Sequence, residues 1–219
     1  MPGGEKRLSG PFCMQGKDRS MHILGLTGGI ACGKSTVSLT LSALGAVIVD
    51  GDQLSRTLTA PGGEALPKLR ETFGDDIFLQ DGTLNRRALG NLVFQHPEEK
   101  AKLDALMQPL IDALTRKKIN EARESGASIC VLDMPLLYEF GYEKLCNRVW
   151  CVALPQETQI QRLMERDGMT REAALDRIHS QMPTEEKAAR ADVVIDTSGT
   201  IEETQAVVRK LFEAEMTFA

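Results

Sequence analysis

Residues Gly28-Gly29-Ile30-Ala31-Cys32-Gly33-Lys34-Ser35 form an unbroken G-x4-G-K-[ST] pattern, directly after an apolar run and directly before a helical one. Glycines in such a turn let successive backbone N–H groups face an anion, and the helix N-terminus behind them adds positive potential. At this spacing Lys34 reaches the β- and γ-phosphates of a nucleoside triphosphate, and the Ser35 hydroxyl is placed to ligate Mg2+. The lysine is expected to face solvent until phosphates arrive. Cys32, beside that lysine and at a helix N-terminus, sits where a thiol pKa is lowered, unless a small side chain merely fits there. An Asn/Thr-Lys-x-Asp guanine reader is absent from the sequence, which argues against a GTPase switch. Transfer of the γ-phosphoryl group to a small acceptor remains, a reaction that asks the protein for positioning and charge neutralisation.

Carboxylates and guanidiniums accompany the loop. Val49-Asp50-Gly51-Asp52 ends a second apolar run. Side chains two apart on an extended segment share a face, so Asp50 and Asp52 could both point inward. One would take the proton of an acceptor hydroxyl and the other would orient a Mg2+ water or a substrate group; the alternative is two solvated acids in a turn. Cys130-Val131-Leu132-Asp133 has the apolar-run-plus-Asp form of a second Mg2+ ligand, although any strand can end in Asp. Arg162 and Arg166, four apart on a helix starting near Gln156, share a face. They either close over the triphosphate or pair with Glu165 and Asp167 on an exposed surface.

These groups need a scaffold, and the apolar pattern supplies one. Ile23–Thr27, Ala46–Asp50, Ile129–Asp133, Arg148–Ala153 and Asp192–Asp196 are nearly continuous apolar runs, the mark of strands covered on both faces. They predict an α/β fold: a five-stranded parallel sheet of the P-loop NTPase kind with helices on both faces, an inserted helical substrate domain and a helical lid. The core takes residues 21–60, 126–154 and 191–219. Residues 61–125 hold at least three helical patterns between turn signals, too long for a simple crossover. Residues 155–190, rich in Arg and Glu, suit a solvated, mobile flap. Residues 1–20 offer little to pack and are expected to be a disordered extension or an expression remnant, with Met21 as the natural start.

Length and composition set the outer bounds. A chain of 219 residues with 42% hydrophobic and 26% charged residues can bury a core unaided. Its net charge of −5 argues against a broad basic track for nucleic acid, so a polyanionic ligand needs a local pocket. The apolar runs fall short of the ~18 residues a membrane helix needs. Five cysteines without a CxxC pair suit reduced thiols in the cytoplasm.

Taken together, the motifs resemble the dephospho-CoA kinase family over nearly all of Met21 to Phe218. The stretches that carry the resemblance are Gly25-Leu26-Thr27-Gly28-Gly29-Ile30, Asp50-Gly51-Asp52 with Arg56, Leu84-Asn85-Arg86-Arg87-Ala88-Leu89 and Pro135-Leu136-Leu137-Tyr138-Glu139. Gln159-x-x-Arg162-x-x-x-Arg166, Arg177-Ile178-x-x-Gln181-Met182 and Ala191-Asp192-Val193-Val194-Ile195-Asp196 follow. The resemblance implies ATP-dependent phosphorylation of the ribose 3′-hydroxyl of dephospho-CoA, the last step of coenzyme A synthesis, with Mg2+. It implies ATP contacts at Gly29, Ala31, Cys32, Gly33, Lys34, Ser35, Thr36, Arg166 and Ser198, the last beside the adenine. It further implies Asp52 as the base, Arg162 at the transferred phosphate, and acceptor contacts at Thr27, Asp50, Arg56, Arg86 and Glu139. The inserted helices would bind the CoA moiety. The partners are ATP and dephospho-CoA, with neither nucleic acid nor membrane, in a monomer or small homo-oligomer. Gln108-Pro109 stands where the family usually carries His-Pro, and Thr197-Ser198 where it often carries Asn.

Overall fold

The computed structural model describes residues 21–217, so the expectation for residues 1–20 lies outside the described residues. In chain order the elements begin with β1 (His22–Gly28), α1 (Lys34–Ala43), β2 (Val47–Asp50) and α2 (Gly51–Leu58). The insertion follows as α3 (Leu66–Phe73), α4 (Arg86–Gln95) and α5 (Pro97–Glu124). Then come β3 (Ile129–Asp133), β4 (Arg148–Ala153), α6 (Gln156–Asp167), α7 (Arg171–His179), α8 (Thr184–Arg190), β5 (Val193–Asp196) and α9 (Ile201–Glu215).

The strands pair in the order β2-β3-β1-β4-β5, every pair parallel. Continuous apolar runs are what such a sheet requires, because both faces are covered. β3 shows this directly. Ile129 and Val131 pack on one face with Leu24, Val37 and Val208, while Cys130 and Leu132 pack on the other with Leu54, Ile119 and Leu137. Thus α1 and α9 cover one side, and α2 and α5 cover the other. The last strand begins one residue later than its apolar run suggests, because Asp192 uses its carboxylate to accept from Val149 N at 2.7 Å.

At the far edge of the first face, the buried Glu215 of α9 meets Arg148 at 3.1 Å and His22 at 3.2 Å and accepts from Trp150 Nε1 at 3.2 Å. A buried carboxylate is tolerated only with such partners, and here they tie the C-terminal helix to the starts of β1 and β4.

The insertion has its own apolar centre in Leu58, Leu69, Ile77, Leu89 and Met107, extended by Leu103 and Ile111 of α5. Ile111 and Leu114 also pack on the sheet-side cluster, so α5 is the long element shared by the two. The 155–190 segment differs from the solvated flap expected of its charge. Ile160, Leu163, Ala174 and Ile178 form a small core that packs on Ile30 and Ala31 of the phosphate loop. Four apolar side chains spread over two helices are diluted among many charges, which is why composition hides them.

Candidate active site

The sheet order changes direction between β3-β1 and β1-β4, and ligands of open α/β sheets bind at the carboxyl ends of strands flanking such a point. The phosphate loop leaves β1 there. Ala31 takes a left-handed conformation with φ 61°, the only such non-glycine among the described residues, and Gly33 follows at φ 80° as the N-cap of α1. A side chain at Gly33 would be strained in that conformation. Gly29 is required for a different reason: a Cβ there would run into Thr184 and Gln159 of the 155–190 segment.

Parallel register brings the carboxylates together. Asp50 pairs with Asp133 across β2 and β3, and Asp133 pairs with Leu26 of β1, so both acids stand at the sheet edge beside the loop. Lys34 is not solvent-facing as expected. Its Nζ lies against Asp133 in a part-buried ion pair, and its side chain is only 17% exposed. Burial raises the Asp133 carboxyl above the ordinary Asp range, opposed by Lys34 and by a hydrogen bond from Ser38, and reinforced by the charge of Asp50.

The expected extended pair of Asp50 and Asp52 is corrected. The strand stops at Asp50, whose carboxylate accepts from Gln53 N at 3.0 Å as the N-cap of α2. Asp52 therefore sits in the first turn of a helix, and helical spacing places it with Ser55 and Arg56 on the face that lines the cleft, while Leu54 and Leu58 are buried on the other.

Of the two readings of Cys32, burial favours the small side chain that fits its place over the reactive thiol. Cys32 is 1% exposed, and burial pushes its pKa up to about 11, outweighing hydrogen bonding with Thr184 and the Gly29 backbone and the nearby charge of Arg162. The small side chain is packing beneath the loop.

A cleft of about 1120 Å3 runs from the phosphate loop to the insertion. Gly29, Ala31, Gly33, Lys34 and Ser35 floor one end; Asp52 and Arg56 stand at one flank. Arg162 and Arg166 overhang it from α6. Arg162 donates to Thr197 O at 2.9 Å and to Ala31 O at 3.4 Å, which pins the guanidinium over the loop. Arg166 reaches the same cleft, held in a two-pronged pair with Asp167 at 2.8 Å. Thr197 also donates from Oγ1 to Cys32 O at 2.6 Å, so the turn after β5 is fastened to the loop. At the other end Leu103, Met107 and Ile111 of α5 face Phe140 and Tyr142. Gln108 lies there too, 3.5 Å from Tyr142 Oη.

Other expected site residues lie off the cleft wall. Thr27 is buried and donates to Pro135 O at 3.1 Å; Glu139 pairs with Lys187 at 2.9 Å and accepts from Met182 N. Arg86 donates to Thr59 Oγ1 at 2.6 Å, joining α4 to the end of α2. Thr36 is within α1, and Ser198 is exposed just beyond β5, its N–H on Asp196. Conversely, Arg177 and Gln181 line the cleft without having been singled out as site residues. Arg177 lies in the last turn of α7 and Gln181 just beyond its end, so a helical spacing does not link them, and only their place in the Arg177-Ile178-x-x-Gln181-Met182 stretch pointed to them.

No group of three or more metal-ligating residues occurs among the described residues. The hydroxyl of Ser35 and the carboxylate of Asp133 are hard oxygen donors, which suit Mg2+ carried by a phosphate chain rather than held in a protein cage.

This geometry can hold a triphosphate at the loop and a second molecule on the α5 side. The dephospho-CoA kinase of Carboxydothermus hydrogenoformans is 45% identical over 88% of this chain and 94% of that protein. That of Geobacter sulfurreducens is 44% identical over 88% and 98%. A crystal structure from Thermus thermophilus superposes with a TM-score of 0.75 at 32% identity, covering 89% of this chain and 97% of that one. The dephospho-CoA kinase of Campylobacter jejuni gives 0.66 at 26% over the same shares. The family model for dephospho-CoA kinase matches residues 22–203, a span holding the phosphate loop, the α5 wall and both overhanging arginines, and on these grounds the chain belongs to the dephospho-CoA kinase family.

Proposed function

We propose that the cleft transfers the γ-phosphoryl of MgATP to the ribose 3′-hydroxyl of dephospho-CoA, giving coenzyme A and ADP. The observation that carries this reading is the continuity of one cavity from Lys34 to the α5 wall, with Asp52 between. Its volume of about 1120 Å3 exceeds what one drug-sized ligand fills and suits two substrates side by side.

Each residue has a physical task in in-line transfer. Backbone N–H groups of the loop and the positive end of α1 hold the phosphate chain. Lys34 turns from Asp133 to the β/γ oxygens when they arrive, so its charge is always opposed. Ser35 and Asp133 would then hold the Mg2+ that neutralises the phosphate oxygens. Arg162, already fixed over the loop, offsets charge that develops on the moving group, and Arg166 adds a second guanidinium. Asp52 accepts the hydroxyl proton, with Arg56 one turn further along the same helix face meeting acceptor phosphate. The apolar strip of Leu103, Met107 and Ile111 offers a bed for the acceptor's less polar arm.

The expected setting is the cytoplasm, where thiols stay reduced; the four described cysteines are free, and no helix among the described residues is long and apolar enough to cross a membrane. The chain acts as a monomer or small homo-oligomer. The test is ADP release by the purified protein with dephospho-CoA, AMP, nucleosides or shikimate as rival acceptors. Turnover that requires dephospho-CoA is expected; equal turnover with another acceptor would overturn the assignment.

A further inference from the structure

Lys187 of α8 has none of its surface open to solvent. A buried ammonium is tolerated only when it is paired and hydrogen-bonded. Its Nζ donates to Pro135 O at 2.6 Å and faces Glu139 Oε1 at 2.9 Å. Both acceptors are shared. Pro135 O also receives the Thr27 hydroxyl at 3.1 Å, and Glu139 Oε1 also receives Met182 N at 3.0 Å. One ammonium thus joins α8, the turn after β3, the end of β1 just before the phosphate loop, and the turn leading into α8.

The turn after β3 is a wall of the cleft. Pro135, Leu136 and Phe140 face the cavity, whereas Lys187 and Glu139 lie behind it. An apolar side chain could fill the Lys187 volume, and buried ion pairs are often no more stable than well-packed apolar replacements. Stability alone therefore does not account for a lysine here. A cation can hold a main-chain carbonyl and a carboxylate at once, which fixes the 135–139 turn at two points.

We propose that Lys187 is a positioning residue for the acceptor: it sets the 135–139 wall so that the acceptor hydroxyl is presented to Asp52, without touching either substrate. This deepens, and rests on, the reading of the cleft as the site of dephospho-CoA phosphorylation. It also gives Thr27 and Glu139 a place in the site as the partners through which Lys187 acts.

The test compares the full chain with Lys187→Met and with Lys187→Met/Glu139→Gln, the second removing both charges so that no carboxylate is left unpaired. Melting temperature, kcat and the KM of each substrate are measured. In the double variant the melting temperature stays near that of the parent, while KM for dephospho-CoA rises about ten- to a hundredfold, the order of cost of a binding wall displaced by about an ångström. KM for ATP stays within about twofold, since the phosphate loop keeps its own contacts. Glu139→Gln alone, which leaves the ammonium on Pro135, shows a smaller rise in the same KM and supplies the readout if Lys187→Met does not fold. Unchanged KM for dephospho-CoA in the folded variants, or an equal rise in both KM values, would overturn the proposal. A parent protein inactive on dephospho-CoA would instead bring down the functional reading itself.

Discussion

Removing Lys34 takes away two things at once, a phosphate ligand and the counter-ion of a buried carboxylate. Lys34→Ala is expected to abolish transfer and also to lower the melting temperature, because Asp133 is left buried without its cation. Lys34→Ala/Asp133→Asn should recover the melting temperature without recovering turnover, and thermal melts beside the assay check both. Asp52 has no such structural tie: it is exposed at the cleft. Asp52→Asn should leave both KM values near normal and lower kcat by about a hundred- to ten-thousandfold, the range for losing a general base. A fall of less than about tenfold would instead make Asp52 a group that orients the hydroxyl, since a loose phosphoryl-transfer transition state asks little of a base. The phosphate loop and Asp52 were legible as residues because their spacing is local. The Lys34–Asp133 pair was not, because it joins positions 99 apart in sequence and depends on β1 and β3 being neighbours.

Whole elements depend on small capping groups. Asp50 holds the first turn of α2 and so the direction in which Asp52 projects. Asp50→Ala should cost about 1 kcal/mol of stability, as loss of an N-cap does, and lower kcat through the misplaced Asp52. Asp50→Asn keeps a capping oxygen and should retain nearly all the stability; equal unfolding midpoints for the two variants would show that the cap is immaterial. The strands were readable from apolar runs because a parallel sheet buries both faces of β1, β3 and β4. The apolar run ends where β2 does, at Asp50, but the pattern could not tell that a helix starts at once: Gly51-Asp52 reads equally well as extended chain, and the hydrogen bond from Gln53 N to the Asp50 carboxylate marks the helix start. The apolar contacts of the 155–190 segment are hidden from composition for a related reason. Its apolar contacts reach Ile30 and Ala31, more than a hundred residues away, and its buried Gln159, Thr184 and Lys187 count as polar in any composition.

At the scale of the molecule, burial of thiols couples stability to alkaline pH. Burial pushes Cys32 and Cys130 up to about 11 and Cys146 and Cys151 up to about 12, from an ordinary value near 9. A raised native pKa contributes stability that is fully present below the unfolded value and is lost as pH rises through the native one. Denaturant midpoints should therefore decline from pH 9 upward, and in a Cys13→Ser background these four thiols should resist alkylation at pH 8 until the chain unfolds. Modification of Cys32 in the folded protein at that pH would contradict the packing around the loop.

The transfer breaks the bond from the γ-phosphorus of ATP to its bridging oxygen and makes one from that phosphorus to the 3′-oxygen of the acceptor ribose. The most direct measurement is phosphorus NMR of the product formed by the purified protein from MgATP and dephospho-CoA. One new phosphomonoester on the ribose 3′-oxygen, formed in equal amount to ADP, is expected. Phosphate on another oxygen, or ADP accompanied only by inorganic phosphate, would contradict this transfer.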